Sequence, residues 1–242
     1  MTHTTSAIPP PDSGDFHTLV DTEGFALRRG GRFLRADLKN PHLVLSTSHV
    51  NGGQSESLRY LMNHQSSEGK GHMVRHDLLV GQGQDAYHRM ACAEAGIPPE
   101  AAAIMGTAAN MQYAAVRAES FEEVSVWAVV TAGVQGNAGR AGDPATWHES
   151  HEPAAGTSRA KEGKAGAAAD AAVAADAADA AKRNFWKPVH AVPGTINTMV
   201  LFNWPLLPAA LSRAAVTVTE AKTAALMELA VASRYSSQLA TG

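Results

Sequence analysis

The chain has 242 residues, of which 45% are hydrophobic and 18% are charged, so it is long and apolar enough to bury a core. Lys and Arg number 20 against 23 Asp and Glu, and the net charge of −3 argues against a nucleic-acid partner. The single cysteine, Cys92, excludes an internal disulfide and a cysteine-based zinc site, and it favours a reducing, cytoplasmic location.

No stretch of the sequence predicts a membrane segment or a signal peptide. Residues 1–15 are polar and proline-rich and predict a flexible tail. The most apolar stretch, residues 199–211, is interrupted by prolines and is shorter than the roughly 20 residues that a membrane helix needs. We expect residues 16–242 to form one domain, with a low-complexity, alanine-rich insertion at about residues 145–188.

The predicted elements begin with a β-hairpin. Residues 25–29 and 32–36 form two alternating runs around Gly30-Gly31, and a glycine pair favours a tight turn because glycine adopts positive φ angles easily. The remaining patterns predict, in chain order, a strand over residues 42–46, helices over 55–64 and 84–95, strands over 124–130 and 196–202, a helix over 208–215, a strand over 216–219 and a helix over 220–234.

Two of these predictions depend on hydrophobic spacing alone. The helix over residues 55–64 depends on Leu58, Leu61 and Met62, and the continuous apolar run over residues 124–130 predicts a central strand buried on both faces. Together the elements predict an α+β fold, with a mixed and partly antiparallel sheet packed against helices in a single domain.

A glycine-rich loop follows the strand predicted over residues 124–130. Glycines recur at every third position, and such a loop lets backbone N–H groups approach a ligand closely. The spacing is neither that of a dinucleotide site nor that of a P-loop. A ligand-binding loop and a plain connector are about equally compatible with it, and the polar residues Asn137, Arg140 and Asp143 favour a site.

Two further segments combine turn residues with polar groups. Residues 49–53, which end in Asn51-Gly52-Gly53, are expected between a strand and a helix, either as an anion-binding turn or as a plain connection. Thr219 is predicted to cap the last helix, with Glu220 and Lys222 in its first turn. Because a lysine there opposes the helix dipole, Lys222 is expected to pair with a carboxylate, to contact a substrate, or simply to face solvent.

The histidines do not form a recognisable metal motif. His72 and His76 are four residues apart, and His148 and His151 lie beside glutamates, but neither pair makes HExxH. Cys92 falls inside a predicted helix and is expected in the core. A serine-centred GxSxG motif is absent from the sequence, so an α/β-hydrolase triad is unsupported.

Several segments, taken in order, resemble the adenosylcobinamide amidohydrolase family, known as CbiZ. The resemblance runs from about residue 20 to the C-terminus, leaving out the alanine-rich stretch. The matching segments are Val44-Leu45-Ser46 through Asn51-Gly52-Gly53, Thr131-Ala132-Gly133-Val134 with Asn137-Ala138 and Arg140-Ala141-Gly142-Asp143, Gly194-Thr195-Ile196-Asn197, and Thr219-Glu220-Ala221-Lys222-Thr223-Ala224-Ala225-Leu226.

The resemblance implies an enzyme of corrinoid salvage. Members of this family hydrolyse the amide that joins the corrin propionyl side chain to aminopropanol, giving adenosylcobyric acid for coenzyme B12 synthesis. The corrinoid, with its cobalt, is then the substrate and small-molecule partner. No cofactor, metal ion, nucleic acid or membrane is expected, and a homo-oligomer is allowed.

Amide hydrolysis needs a nucleophile, donors for the tetrahedral oxyanion and an acid for the leaving amine. Our hypothesis assigns water activation to Glu220 and carbonyl polarisation or amine protonation to Lys222. The candidates at the oxyanion are Asn137, Asn51 and the Gly52-Gly53 amides, and Asp143 would orient one of these groups. Residues 220 and 222 do not share a face of an ideal helix, so a joint role requires an irregular helix start or contacts with different parts of the substrate.

A threonine nucleophile, either Thr195 or Thr131, is the alternative mechanism. A corrin also needs apolar walls, for which Trp127, Trp204, Phe202 and Met199 are candidates, although each is more often a core residue. The residues expected to bind the substrate are Asn51, Gly52, Gly53, Thr131, Gly133, Thr195 and Asn197.

Two other functions remain open. The family pattern continues past Gly242 into a Gly-Thr-Asp stretch, so a non-catalytic corrinoid-binding protein is one alternative to the enzyme. An amidase with another substrate is the second.

Overall fold

The computed structural model describes residues 16–66, 78, 81–134, 136–144 and 194–242. The predicted tail, residues 1–15, and the predicted alanine-rich insertion, about residues 145–188, lie outside these residues. In chain order the elements are β1 (His17–Asp21), β2 (Phe25–Gly30), β3 (Phe33–Leu38), β4 (Val44–Ser46), β5 (Gly53–Ser55), β6 (Tyr60–Gln65), α1 (Gln84–Ala95), β7 (Ala102–Thr107), β8 (Ala115–Phe121), β9 (Val124–Ala132), β10 (Ile196–Phe202) and α2 (Pro208–Glu228).

The larger sheet has five strands in the order β1-β2-β3-β6-β7. All neighbours are antiparallel except β6 and β7, which pair in parallel. Strands β2 and β3 form the predicted hairpin, and Gly31 takes a φ of 49° at its turn. The hairpin is confirmed, although its turn residues are Gly31 and Arg32, because Gly30 is the last residue of β2 and pairs with Phe33. Phe25, Leu27 and Leu34 are fully buried.

The second sheet has three antiparallel strands in the order β10-β9-β8, and β4 pairs with β5 in a small hairpin. Strands β9 and β10 pair in register from Ala132 opposite Ile196 to Phe202 opposite Val126. The strand predicted over residues 196–202 is confirmed. The central strand over 124–130 is confirmed as β9, but its burial on both faces was a wrong prediction, because only Val129 and Thr131 are buried and most of the other residues are half-buried.

The core is divided between the two faces of the larger sheet. On one face Met62 packs with Tyr87 and Cys92 of α1. On the other face Leu34 packs with Val129 and Met199 of the smaller sheet. Each fully buried side chain of this size contributes roughly 1.5–3 kcal/mol, so the larger sheet is held from both sides. This arrangement confirms the α+β fold.

Helix α1 is confirmed at its predicted bounds, and it ends at Gly96 in the left-handed conformation with a φ of 66°. The helix predicted over residues 55–64 was wrong. Leu58, Leu61 and Met62 have helical spacing, but Leu61 and Met62 point to opposite faces of β6. The strand forms because β3 and β7 supply hydrogen-bonding partners on both of its sides. Alternation along β6 then places Asn63 and His64 on opposite faces.

The predicted elements at the C-terminal end differ from the observed ones. Helix α2 is continuous over 21 residues, so the strand over 216–219 and the helix start at 220 were wrong. Thr219 is not a cap, because its Oγ1 donates a hydrogen bond of 2.9 Å to the Ala215 carbonyl inside the helix. Strand propensity of β-branched residues is a weak signal, and continuation of the helix from Pro208 overrides it.

Candidate active site

Four polar side chains meet where the two sheets pack together, and we call them the seam cluster: Asn63, Thr131, Thr195 and Asn197. Asn63 Nδ2 donates to Thr131 Oγ1 at 2.7 Å, and Asn197 Nδ2 donates to Asn63 Oδ1 at 2.8 Å. Thr195 Oγ1 donates to Asn197 Oδ1 at 3.0 Å. The cluster joins β6, β9, β10 and the residue just before β10.

Strand register places the cluster. Thr131 and Asn197 are opposite each other on β9 and β10, and Asn63 projects from the inner face of β6 toward them. Asn63 and Thr131 are each 2% exposed and Asn197 is 6% exposed. Buried amides and hydroxyls are stable when they bond to each other, and this set carries no charge that would cost desolvation energy. Only Thr195 is half-exposed, so Thr195 forms the rim of the cluster.

The glycine-rich loop starts at this rim. Gly133 N donates to the Thr195 carbonyl at 2.9 Å, and Asn137 Nδ2 donates to the Gly194 carbonyl. A Cβ on Gly194 would stand 2.3 Å from Asn137 Oδ1 and 2.4 Å from the Gly133 carbonyl oxygen. The loop is therefore closed tightly over residues 194 and 195, and Asn137 is engaged in that closure.

The later part of the loop binds the C-terminal segment through what we call the loop–tail cluster: Arg140, Asp143, Ser233 and Thr241. Asp143 Oδ2 accepts hydrogen bonds from Ser233 Oγ at 2.6 Å and from Arg140 N at 2.7 Å. The Ser233 hydroxyl, more than any other group, holds the pKa of Asp143 below its usual value. Ala141 N donates to Thr241 Oγ1 at 2.8 Å. In this position Asp143 organises the loop and the chain end.

Lys222 faces the same region from α2, and Glu220 does not. A Cβ on Gly242 would stand 2.2 Å from Lys222 Nζ, and Thr223 Oγ1 donates to the Thr241 carbonyl at 3.1 Å. Residues two apart on a regular helix point about 200° apart, and Glu220 is exposed to solvent. Because α2 is continuous here, the irregular helix start is not observed, and a joint role would require contacts with different parts of the substrate.

Asn51 and Gly52 lie in the turn between β4 and β5, and Gly53 is the first residue of β5, so the predicted position before a helix was wrong. Asn51, with a φ of 57°, donates to the carbonyls of Pro99 and Ala102 at 2.8 Å each. A Cβ on Gly52 would stand 2.0 Å from the Ser48 carbonyl oxygen. Asn51 thus binds the first residue of β7, whereas Asn197 binds the Gly106 carbonyl near its end. Four residues of strand span about 13 Å, so the structure does not bring this turn to the seam cluster.

Sequence reasoning missed Asn63, the residue at the centre of the cluster. It also missed a second buried group on the opposite face of β6. His64 Nδ1 lies 2.8 Å from the Tyr87 hydroxyl, its Nε2 lies 3.5 Å from Glu94, and its ring stacks on Phe33 at 4.7 Å. An Asn-His pair inside an otherwise apolar strand was the available signal, and the helical interpretation of residues 55–64 concealed it.

Other candidates occupy structural positions. Trp127 packs edge-on against Phe25 with centroids 5.1 Å apart, and Met199 is 6% exposed, so both belong to the core, whereas Trp204 is 51% exposed. Burial raises the pKa of Cys92 to about 11, which agrees with a core thiol. Within the described ranges no three metal-binding side chains lie close enough to hold an ion, and the four histidines discussed above, at 72, 76, 148 and 151, lie outside those ranges.

The fold and the site define an α+β protein with an uncharged, amide-lined polar cluster between two sheets. Within that class, the chain belongs to the adenosylcobinamide amidohydrolase family, whose model matches residues 19–242. Searches of curated proteins and of solved structures returned no match. Among the helices described, none is long and apolar enough to cross a membrane.

Proposed function

We propose that the chain hydrolyses the amide between the corrin propionyl side chain and the aminopropanol of adenosylcobinamide, releasing 1-amino-2-propanol and adenosylcobyric acid in the cytoplasm. Family membership over residues 19–242 supports the reaction class. The observation that carries the proposal is the seam cluster, because three residues predicted to bind the substrate, Thr131, Thr195 and Asn197, meet there beside the glycine-rich loop.

The reaction adds the oxygen of water to the amide carbon, breaks the carbon–nitrogen bond and delivers a proton to the leaving amine. The carbonyl oxygen gains negative charge on the way and needs donors or a cation nearby. Lys222 lies against the chain end that the glycine-rich loop binds, and its ammonium can supply the charge or the proton. The cobalt enters as part of the substrate, and the proposal requires no resident cofactor.

The contacts favour water over threonine as the nucleophile. Thr195 gives its hydrogen to the amide oxygen of Asn197, which is not a base, and Thr131 accepts a hydrogen bond from Asn63. In the described part of the chain neither hydroxyl contacts a histidine, lysine or carboxylate that could remove its proton. A nucleophilic hydroxyl needs such a neighbour.

The direct test is turnover by the purified full-length chain. Adenosylcobinamide is incubated with the protein, and aminopropanol and adenosylcobyric acid are measured by liquid chromatography and mass spectrometry, with heat-treated protein as the control. We expect equimolar release of both products. Binding without release would support the corrinoid-binding alternative, and cleavage of a different amide in a substrate panel would support another amidase.

A further inference from the structure

We infer that Asn63 is a positioning residue that fixes the direction of hydrogen bonding in the seam cluster, so that Thr195 Oγ1 faces the substrate as an acceptor for the N–H of the scissile amide. The inference rests on the proposed function and deepens it. It assigns a role to a residue that sequence reasoning did not single out, and it changes Thr195 from a possible nucleophile to a binding group.

Every hydrogen bond of the cluster runs in the same direction. The Thr195 hydroxyl donates to Asn197, Asn197 donates to Asn63, and Asn63 donates to Thr131. A hydroxyl has one hydrogen and two lone pairs, so a threonine that donates inward presents only lone pairs elsewhere. Thr195 is the one member of the cluster that is not buried, so the inference places the ligand against its lone pairs.

Asn63 and the backbone determine this direction together. Asn197 Nδ2 donates both to Asn63 Oδ1 at 2.8 Å and to the Gly106 carbonyl at 3.1 Å. Rotating the Asn197 amide by half a turn would place its oxygen against two acceptors and leave its NH2 facing the hydrogen of Thr195. A carbonyl cannot exchange donor and acceptor roles, so Gly106 and Asn63 together determine which atom Asn197 offers to Thr195.

The supports of the cluster are rigid on both sides. A Cβ on Gly106 would stand 2.8 Å from the Tyr87 hydroxyl, so that residue is packed tightly from the α1 side. The backbone of Thr195 is held separately, because its carbonyl accepts from Gly133 N at 2.9 Å. Thr195 thus has both its main chain and its side chain fixed, as a group that orients a substrate requires.

The scissile amide supplies the matching donor. A secondary amide carries one N–H, and an acceptor that binds it fixes the plane of the amide and so the face open to water. The lone pair of the nitrogen must also remain accessible until it is protonated. An acceptor that binds the hydrogen does not block that lone pair.

The test compares four variants in steady-state turnover of adenosylcobinamide, at a temperature below the melting transition of each. We expect Thr195→Val to lower kcat about 100-fold and Thr195→Ser to restore most of it, because serine keeps the oxygen. Asn63→Leu removes the acceptor for Asn197 and should lower kcat about tenfold with a small change in KM. Thr131→Val breaks only the far end of the chain of hydrogen bonds and should lower kcat less than Asn63→Leu does.

Equal losses of kcat in Asn63→Leu and Thr131→Val would overturn the inference, because both break the bond between these residues and a merely structural cluster would respond alike. Full activity of Thr195→Val would overturn it as well, and so would an acyl-enzyme on Thr195 detected by mass spectrometry. If Asn63→Leu does not fold, the comparison of Thr195→Val with Thr195→Ser tests the inference. Absence of release by the wild type would overturn the proposed function and this inference together, whereas an active wild type separates the two.

Discussion

The seam cluster and the loop–tail cluster both lie beside the glycine-rich loop, but they differ in charge and in burial. The seam cluster is uncharged and, apart from Thr195, buried between two sheets. The loop–tail cluster holds Arg140 and Asp143 at the surface, where solvent hydrates their charges. The difference follows from desolvation, which costs far less for hydrogen-bonded amides than for ions. The neutral seam cluster can therefore lie in the interior, and the charged part of the loop binds the chain end where both are partly exposed.

Substitution of Lys222 tests whether the loop–tail side also contributes to catalysis. It is expected to produce the largest change in kcat. We expect Lys222→Ala to lower kcat for adenosylcobinamide about 100-fold, because the variant removes the cation that we propose for the reacting carbonyl. Lys39→Ala removes a lysine that pairs with Asp21 on β1 and should leave turnover unchanged.

Glu220 provides the matching control within α2. Because it is exposed, we expect Glu220→Gln to keep most of the activity, as Glu228→Gln should. A loss of orders of magnitude in Glu220→Gln would instead support the water-activating role that the sequence suggested.

Gly194 tests how tightly the loop is closed. Gly194→Ala places a methyl group against the Gly133 carbonyl oxygen, so we expect a loss of about 1–3 kcal/mol in the free energy of unfolding, together with lower activity. Gly133→Ala is the matched variant, since a Cβ there meets nothing within 4 Å. Urea unfolding of both variants measures the difference, and equal stabilities would show that the closure is loose.

Thr131 tests the interior of the seam cluster. Thr131→Val keeps the volume but leaves an N–H of Asn63 without its acceptor, which should cost about 1–3 kcal/mol of stability. Thermal unfolding compared with Thr18→Val, on the exposed edge strand β1, measures the loss. A loss no larger than that of the control would mean that another group satisfies Asn63.

Asp143 carries the smallest expected effect, and it depends on pH. Its pKa is lowered in the folded state, chiefly by Ser233, so the carboxylate stabilises the fold above the unfolded value of about 3.9. That contribution is lost as the pH falls through the folded pKa. Urea unfolding between pH 7 and pH 3 should show a shallower decline for Asp143→Asn than for the wild type. Parallel curves would contradict the assignment.

Much of the fold could be predicted from local pattern. The β2–β3 hairpin follows from its glycine pair, and α1 follows from its spacing and from Gly96. The failures occur where tertiary pairing decides between two local options. Residues 60–65 form a strand because β3 and β7 lie on either side, and no local signal reveals those neighbours.

The site could be predicted only in part for the same reason. Thr131, Thr195 and Asn197 were found by motif, and register explains why they meet. Asn51 was found equally well but supports the other end of β7. Asn63 was missed because its role depends on partners 68 and 134 residues away in the chain.

The antiparallel register of β9 and β10 has a consequence for the evolution of chain length. Ala132 at the end of β9 lies opposite Ile196 at the start of β10. These two residues are therefore held one strand spacing apart, regardless of the length of the chain that connects them. Closing a loop of twice the length costs only about 0.6 kcal/mol more, because the entropy grows with the logarithm of the number of residues. Lineages can therefore lengthen or trim the connection with little thermodynamic selection against the change.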